Sequence, residues 1–280
     1  MTVENLTESE YREYIAAFNR SDFAEFSRYY APDVEFQGRG GHFHGRDAVV
    51  AFYRQVHARL RERIEIRQIV RGEQGLVADL VTELHALEDW PEFPTGPISR
   101  GEIRRSQNFV WYDVSGKEFT RVRAAHYRRG VAGFDVSPPP TTTPSGRTAL
   151  SKEAFATYID AFNRNDVTTF SEFYAPDVTL VIAGKHELVG RQSIIEFYKL
   201  VKAQTPRTIQ VNRLISTPEA VAAELQSEFT ALEDLPEFIG GPMKKGDRLF
   251  INTVVLYDMR DGRFNRIRSA ELRKVHRSSP

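Results

Sequence analysis

"AAFNRSDFAEFSRYYAPDV" occupies residues 16–34, and "DAFNRNDVTTFSEFYAPDV" occupies residues 160–178. A stretch this long does not recur by chance, and internal repetition settles the number of folding units before any element is assigned. Working outward, "GRDAVVAFYRQV" (45–56) aligns with "GRQSIIEFYKLV" (190–201), and "ALEDWPEF" (86–93) aligns with "ALEDLPEF" (231–238). "FTRVRAAHYR" (119–128) continues the match against "FNRIRSAELR" (264–273). The offset is 144 for the first pair and 145 for the others, so one inserted residue accounts for the whole alignment. One domain has been duplicated, and each copy is long enough to bury its own core. Between the copies lies "GVAGFDVSPPPTTTPSGRTA", whose prolines, threonines and glycines make a stiff, poorly packing segment. The expected division is 1–129 for copy one, 130–149 for the linker and 150–280 for copy two.

Composition narrows the partners. Lys+Arg and Asp+Glu both number 38 in 280 residues, so no global field draws nucleic acid or an anionic membrane. No apolar run approaches the roughly 20 residues of a membrane span, and "MTVENLTESE" lacks the basic and apolar regions of a signal peptide. There is no cysteine, which removes thiolate metal sites and thiol nucleophiles and fits a cytoplasmic protein.

Within copy one, Tyr11, Tyr14, Ile15 and Phe18 fall at helical spacing over residues 8–19. Asp22 is placed to cap a second helix running to about Tyr30, which "AP" should end because Pro32 disfavours helix at Ala31. "DVEFQG" and "DVTLVI" look like short strands, and a third helix should begin near Arg46 or Arg191. Only strand-like segments follow: 63–70, 75–88, 101–114 and 117–128. Helices first and strands after them predict an α+β fold with an antiparallel sheet. Along the long strand, Ala78, Leu80, Thr82, Leu84 and Ala86 make one face and Asp79, Glu83 and His85 the other. The first face should therefore pack on the helices. On the second, Glu83 and Glu228 are best explained by cross-strand ion pairs or an interface.

The order of helix, helix with "YAPDV", strand, "GR…FY" helix and bent sheet resembles the nuclear transport factor 2-like superfamily. These are the cone-shaped α+β domains of ketosteroid isomerases and SnoaL-like polyketide cyclases. "HGRDAVVAFYRQ" (44–55) is similar to the third-helix motif of the bacterial isomerases, and "YIAAFNRSDFAEFSRYYAPDVEF" (14–36) to their first two helices. The resemblance covers both copies. It implies an apolar small-molecule ligand, no redox cofactor and no metal, and acid–base chemistry of the isomerase, cyclase or dehydratase and hydratase (lyase) kind. A non-catalytic binding protein or a pseudo-dimeric scaffold stays open beside it, because this fold hosts many functions. The resemblance also implies that the copies pair sheet to sheet as an intrachain pseudo-dimer, with further homo-oligomerisation open.

Carried over residue by residue, the isomerase oxyanion tyrosine falls on Tyr14 and Tyr158. The aspartate that shares its oxyanion hole falls on Asn108 and Thr253. The general-base aspartate falls on Gly38 and Ile182, neither of which takes a proton. The same mapping turns Val122, Ala124 and His126 inward, against Ile267, Ser269 and Glu271. Copy one thus gathers Tyr14, Phe36, Thr82, Arg104, Ser106, Asn108 and His126. Copy two gathers Tyr158, Ser227, Leu249, Ile251, Thr253 and Glu271, so the main site is expected in copy one.

Each residue carries two readings. His126 is a general base or a histidine hydrogen-bonded inside a binding cavity. Glu271, facing apolar neighbours, is an acid–base group or half of an ion pair. Tyr14 and Tyr158 donate to a substrate oxygen or anchor the first helix. "HFH" (42–44) offers two imidazoles at i and i+2, read as a solvated loop rather than a metal site. The octapeptide at 86–93 reads as an ordered connection at the rim, with Asp89 forming an Asx-type turn and Pro91 ending the ladder. Leu87 and Phe93 are expected to tuck back as its anchors, as are Leu232 and Phe238 in copy two.

Overall fold

The computed structural model describes residues 5–73, 75–130, 148–182, 184 and 186–279. The chain divides into two compact units, Met1–Thr141 and Thr142–Pro280. Residues 131–147, nearly all of the expected linker, lie outside the described residues.

In the first unit, helix α1 (Glu8–Asn19) begins at a capping box. Thr7 Oγ1 accepts from the Glu10 amide at 3.2 Å, and the Thr7 amide donates to Glu10 Oε2 at 2.8 Å. Its apolar stripe buries Tyr11, Tyr14, Ile15 and Phe18, as the spacing predicts. Helix α2 (Phe23–Ser27) is capped by Asp22 but is shorter than expected, because strand β1 (Tyr30–Gly38) starts two residues before the proline. Pro32 is tolerated there because the ladder of β1 is interrupted between Tyr30 and Glu35, where a missing amide proton costs no pairing.

Strand β2 (Gly41–His44) pairs antiparallel with β1. "HFH" is therefore strand rather than loop, with Phe43 opposite Phe36 and both histidines exposed. Helix α3 (Arg46–Arg59) follows Gly45, whose φ of 89° explains the glycine of the "GR" motif, as does the 88° of Gly190. Strands β3 (Leu60–Gly72), β4 (Gly75–Ala86), β5 (Ile103–Ser115) and β6 (Glu118–Gly130) then run as an antiparallel meander. β1 joins the outer side of β6 in parallel, a pairing the alternation pattern does not reveal.

The second unit repeats this order. It comprises α4 (Lys152–Asn163), α5 (Val167–Glu172), β7 (Tyr174–Ile182), β8 (His186–Val189) and α6 (Arg191–Gln204). The strands β9 (Arg207–Ser216), β10 (Ala220–Thr230), β11 (Arg248–Arg260) and β12 (Arg263–Arg277) complete it.

Each unit is an α+β cone in which helices close the hollow of a curved sheet. The curvature comes from ladder shifts, such as that between Ile66 and Gln68 on β3 and that between Gln107 and Asn108 on β5. Asn19 ties helix to sheet, donating to the Ile64 carbonyl at 2.8 Å and accepting from its amide at 2.7 Å. Asn163 does the same at Ile209. Glu83 and Glu228 pair across strands with Arg105 and Arg248.

The rim connection after β4 is ordered. Asp89 accepts from the Arg100 amide at 2.7 Å, Asp234 accepts from the Lys245 amide at 2.9 Å, and Trp90 bridges to Ile98. Trp90 and Phe93 are its buried anchors, with Val56, Leu60 and Ala86 around them. Leu87 and Leu232 are exposed instead, since Ala86 and Ala231 take the inward position and the next residue must face out. Among the described residues, no helix is long and apolar enough to cross a membrane.

Candidate functional site

The concave side of the first unit forms a half-open cavity of about 580 Å³. Alternation along the strands decides what its wall presents. From β4 come Leu80, Thr82 and Leu84, and from β5 come Arg104, Ser106 and Asn108. Phe36 of β1 and Tyr14 of α1 face the same space, and Phe93 and Gly96 of the rim connection flank it. Six residues expected from sequence to share a pocket (Tyr14, Phe36, Thr82, Arg104, Ser106 and Asn108) thus line one cavity.

Their chemistry differs from residue to residue. The Tyr14 and Tyr30 hydroxyls lie 2.7 Å apart in the core, and burial pushes the Tyr14 pKa well above its ordinary value. Tyr14 is therefore a neutral phenol throughout the physiological range. Asn108 donates to Ser106 Oγ at 3.2 Å, and His126 Nδ1 lies 3.3 Å from Asn108 Oδ1. Val122 and Ala124 line the cavity as expected but His126 does not: beside the ladder shift between Gln107 and Asn108, it meets the cavity only through its contact with Asn108. Arg104 is committed to the rim: it donates to Glu102 at 2.5 Å and to the Gly96 carbonyl at 2.8 Å, and it also contacts the Pro97 carbonyl. It therefore clips the rim connection to β5.

Two residues that the sequence reading passed over belong to this wall: Glu62 lines the cavity and His57 lies next to it. β3 starts at Leu60, three residues earlier than expected, which turns Glu62 into the cavity wall. Its side chain keeps 12% of its surface accessible, and its charge contributes to raising the pKa of both Tyr14 and Tyr53. His57, in the last turn of α3, places Nε2 3.6 Å from Glu62 Oε2, while its Nδ1 lies 2.9 Å from Ser21 Oγ. The His57 ring is walled by Phe18, Phe23 and Tyr53, and its buried Nε2 has no hydrogen-bond partner. A buried polar atom left so costs about 1–3 kcal/mol.

The second unit carries the same framework with different chemistry. Tyr158 faces the Tyr174 hydroxyl at 3.0 Å, repeating the Tyr14–Tyr30 pair. The counterparts of His57 and Glu62 are Lys202 and Arg207, so a histidine–carboxylate pair becomes two cations. Arg207 donates to Ser227 Oγ at 2.8 Å. Its guanidinium lies 5.0 to 5.8 Å from the ring centres of Phe162, Tyr198 and Phe229, the counterparts of cavity-lining Phe18, Tyr53 and Leu84. Lys202 is driven down to about 8, by burial first and by the Arg207 charge second. Glu271 pairs in register with Thr253 but is exposed. It does not face apolar neighbours as the mapping suggested, because it follows the last buried position of β12, Ala270.

The charge reversal at 57 and 62 against 202 and 207 was visible in the aligned copies. A strand counted from Arg63 leaves Glu62 in a connection, whereas β3 begins at Leu60 and puts Glu62 on an inward position.

Comparison with known proteins agrees with the duplication. The SnoaL-like domain matches residues 11–103 and again 155–267. A putative polyketide cyclase from Silicibacter sp. is 22% identical, covering 42% of this chain and 86% of its own with a TM-score of 0.36. A putative polyketide cyclase from Xanthomonas campestris pv. campestris is 20% identical over 41% of this chain and 84% of its own, with a TM-score of 0.35. An epoxide hydrolase from M. tuberculosis, described as LEH-like, is 13% identical over 42% and 80%, also at 0.35. None of the curated proteins matches the chain.

Proposed function

The chain belongs to the SnoaL-like domain family twice over, and we propose that its first copy is a cofactor-independent acid–base enzyme acting on a largely apolar small molecule. One observation carries this reading: a half-open, mainly aromatic and aliphatic cavity presents Thr82, Ser106 and Asn108 as neutral polar groups along one side. Such a wall buries a hydrophobic body and leaves a few donors to fix one oxygen. Tyr14 and Asn108 are the donors to that oxygen, where negative charge builds up in an enolate-like transition state. His126 acts through Asn108. Donating from Nδ1 to the amide oxygen, it holds Nδ2 toward Ser106 and the cavity. Phe36 and Thr82 bound the ligand, and Arg104 holds the mouth. In the second copy Tyr158 and Thr253 are relics of the same plan, and the corresponding space takes the Arg207 side chain.

The reaction class is isomerisation, cyclisation, dehydration or hydration, each of which moves a proton at a carbon next to an oxygenated centre. The test is α-proton exchange. A panel of apolar cyclic ketones is incubated with the full chain in D2O and followed by NMR. Saturable, protein-dependent deuteration supports the enzyme. Saturable binding with no exchange on any member favours the second reading, a small-molecule-binding protein in which the same donors hold a ligand without chemistry.

A further inference from the structure

We propose that Glu62 is the proton acceptor of the first unit's cavity, and that His57 and Ser21 connect it to solvent. The proposal rests on the acid–base reading of that cavity and supplies the base that the reading leaves unassigned. Gly38 occupies the position where the resemblance would put a carboxylate, and glycine takes no proton.

The geometry is a line of three groups. Glu62 borders the cavity from β3. His57 stands behind it from α3, with Nε2 at 3.6 Å. Ser21, exposed in the turn between α1 and α2, meets the other ring nitrogen at 2.9 Å. The titratable groups facing Glu62 are Tyr14 from α1 and Tyr53 and His57 from α3, while β4 sets Leu84 opposite it in the ladder. The imidazole is therefore the group through which charge on this carboxylate reaches the surface. Two features indicate that the line is maintained. Ser21 is held at φ 58°, a left-handed conformation that serine rarely adopts. The second copy has Asn165 at the same point with φ 61°, an easier residue for that backbone, and lacks both the imidazole and the carboxylate. Serine thus occurs at this strained point in the copy that has the histidine to bond.

The proton balance closes. A Glu62 oxygen takes a proton from a carbon next to a carbonyl. The C–H electron pair becomes the enolate double bond, and the carbonyl pair moves onto oxygen beside Tyr14 and Asn108. The proton returns to another carbon in an isomerisation, or it leaves the cavity. In leaving, it passes to His57 Nε2 while the Nδ1 proton passes to Ser21 Oγ and on to water. Solvent then returns a deuteron to Nδ1 through Ser21, and a turnover of the imidazole ring brings that deuteron to Glu62 and so to the substrate carbon.

The test uses the full chain and the exchange assay above, with probe affinity measured by fluorescence on the same variants. Glu62→Gln, nearly isosteric, should lower exchange by about 100-fold or more, the usual share of a positioned base, while probe affinity holds. Added formate should restore exchange to Glu62→Ala and leave wild type unchanged, a rescue that a purely structural glutamate would not show. His57→Gln should remove the imidazole limb from the pH profile of exchange, and Ser21→Ala should slow deuterium entry more than substrate isomerisation. If wild type exchanges but Glu62→Gln keeps its rate, this assignment is overturned and the acid–base reading stands. If wild type exchanges nothing on the panel, both fall together. A Glu62→Gln chain that binds the probe poorly and gains nothing from formate in the alanine variant would make Glu62 structural and also overturn the assignment.

Discussion

Arg207→Ala tests whether the two copies differ because one guanidinium takes the space that is open in the other. Arg207 donates to Ser227 Oγ at 2.8 Å through Nη2 and at 3.3 Å through Nε. Hydrogen bonds from a charged donor contribute about 1.5–3 kcal/mol. Its place beside Phe162, Tyr198 and Phe229 adds about 1 kcal/mol of cation–ring attraction at a partly exposed site. Against this, removing Arg207 relieves Lys202, whose pKa it helps to lower. The net expectation is a loss of roughly 2–3 kcal/mol, because one charged hydrogen bond outweighs one half-screened repulsion. Urea denaturation followed by far-UV circular dichroism measures it. Tryptophan emission serves as an internal control, since both tryptophans, Trp90 and Trp111, belong to the first unit. The second readout is the stoichiometry of an apolar fluorescent probe. Wild type should bind one per chain, and Arg207→Ala should gain a second, weaker site. A variant as stable as wild type would refute the energetic argument. A wild type that already binds two probes with equal affinity would refute the claim that Arg207 fills the second pocket.

Three further outcomes follow from the same contacts. Tyr14→Phe and Tyr158→Phe each strand a buried partner hydroxyl, on Tyr30 and Tyr174, and should each cost about 1–2 kcal/mol in denaturation; only Tyr14→Phe should also weaken probe binding. Lys202 has a folded pKa of about 8 against an ordinary 10.5, so between these values the unfolded chain holds a proton the folded chain lacks. Its penalty is full below pH 8 and is relieved as pH rises, so wild type should gain stability relative to Lys202→Met between pH 8 and pH 10, and a flat difference would contradict the shift. His126→Ala should lower kcat for exchange with little loss of stability, and His126→Gln, which can still donate to Asn108 Oδ1, should restore most of it; a pH limb lost with His126 would make it a base instead.

How much of this was legible in the sequence depended on period. Helix α1 announced itself through Tyr11, Tyr14, Ile15 and Phe18, because a 3.6-residue stripe over a capped segment has no competing explanation. The β4 and β5 wall was legible for the same kind of reason: once Leu80 and Thr82 face inward, pairing with Asn108 and Ser106 follows from the ladder. What failed were the places where period breaks. Tyr30 and Pro32 begin a strand whose pairing is interrupted, and an interrupted ladder leaves no alternation to read. β3 begins directly at the end of α3, and with no turn residue between Arg59 and Leu60 the inward position of Glu62 could not be counted from a boundary.

The comparison of copies supplies what neither copy supplies alone. Where both keep a residue, a contact recurs: the Asn19 and Asn163 ties of helix to sheet are structural and match closely in distance, and the Tyr14–Tyr30 hydroxyl pair returns as Tyr158–Tyr174. Where the copies differ at an inward position, packing cannot be the reason for both choices, because the surrounding frame is the same. Of the inward differences, Arg104 and Ser106 against Leu249 and Ile251 exchange polar groups for apolar ones. The exchange of His57 and Glu62 for Lys202 and Arg207 is of another kind, since it keeps the cost of burying charge and reverses the sign. A carboxylate facing a cavity can take a proton; a guanidinium in the same place cannot, but it can hydrogen-bond Ser227 and cover three rings. If the first unit carries acid–base chemistry as proposed, Glu62 is where it finds a proton acceptor, while the second unit has a cationic side chain at that position.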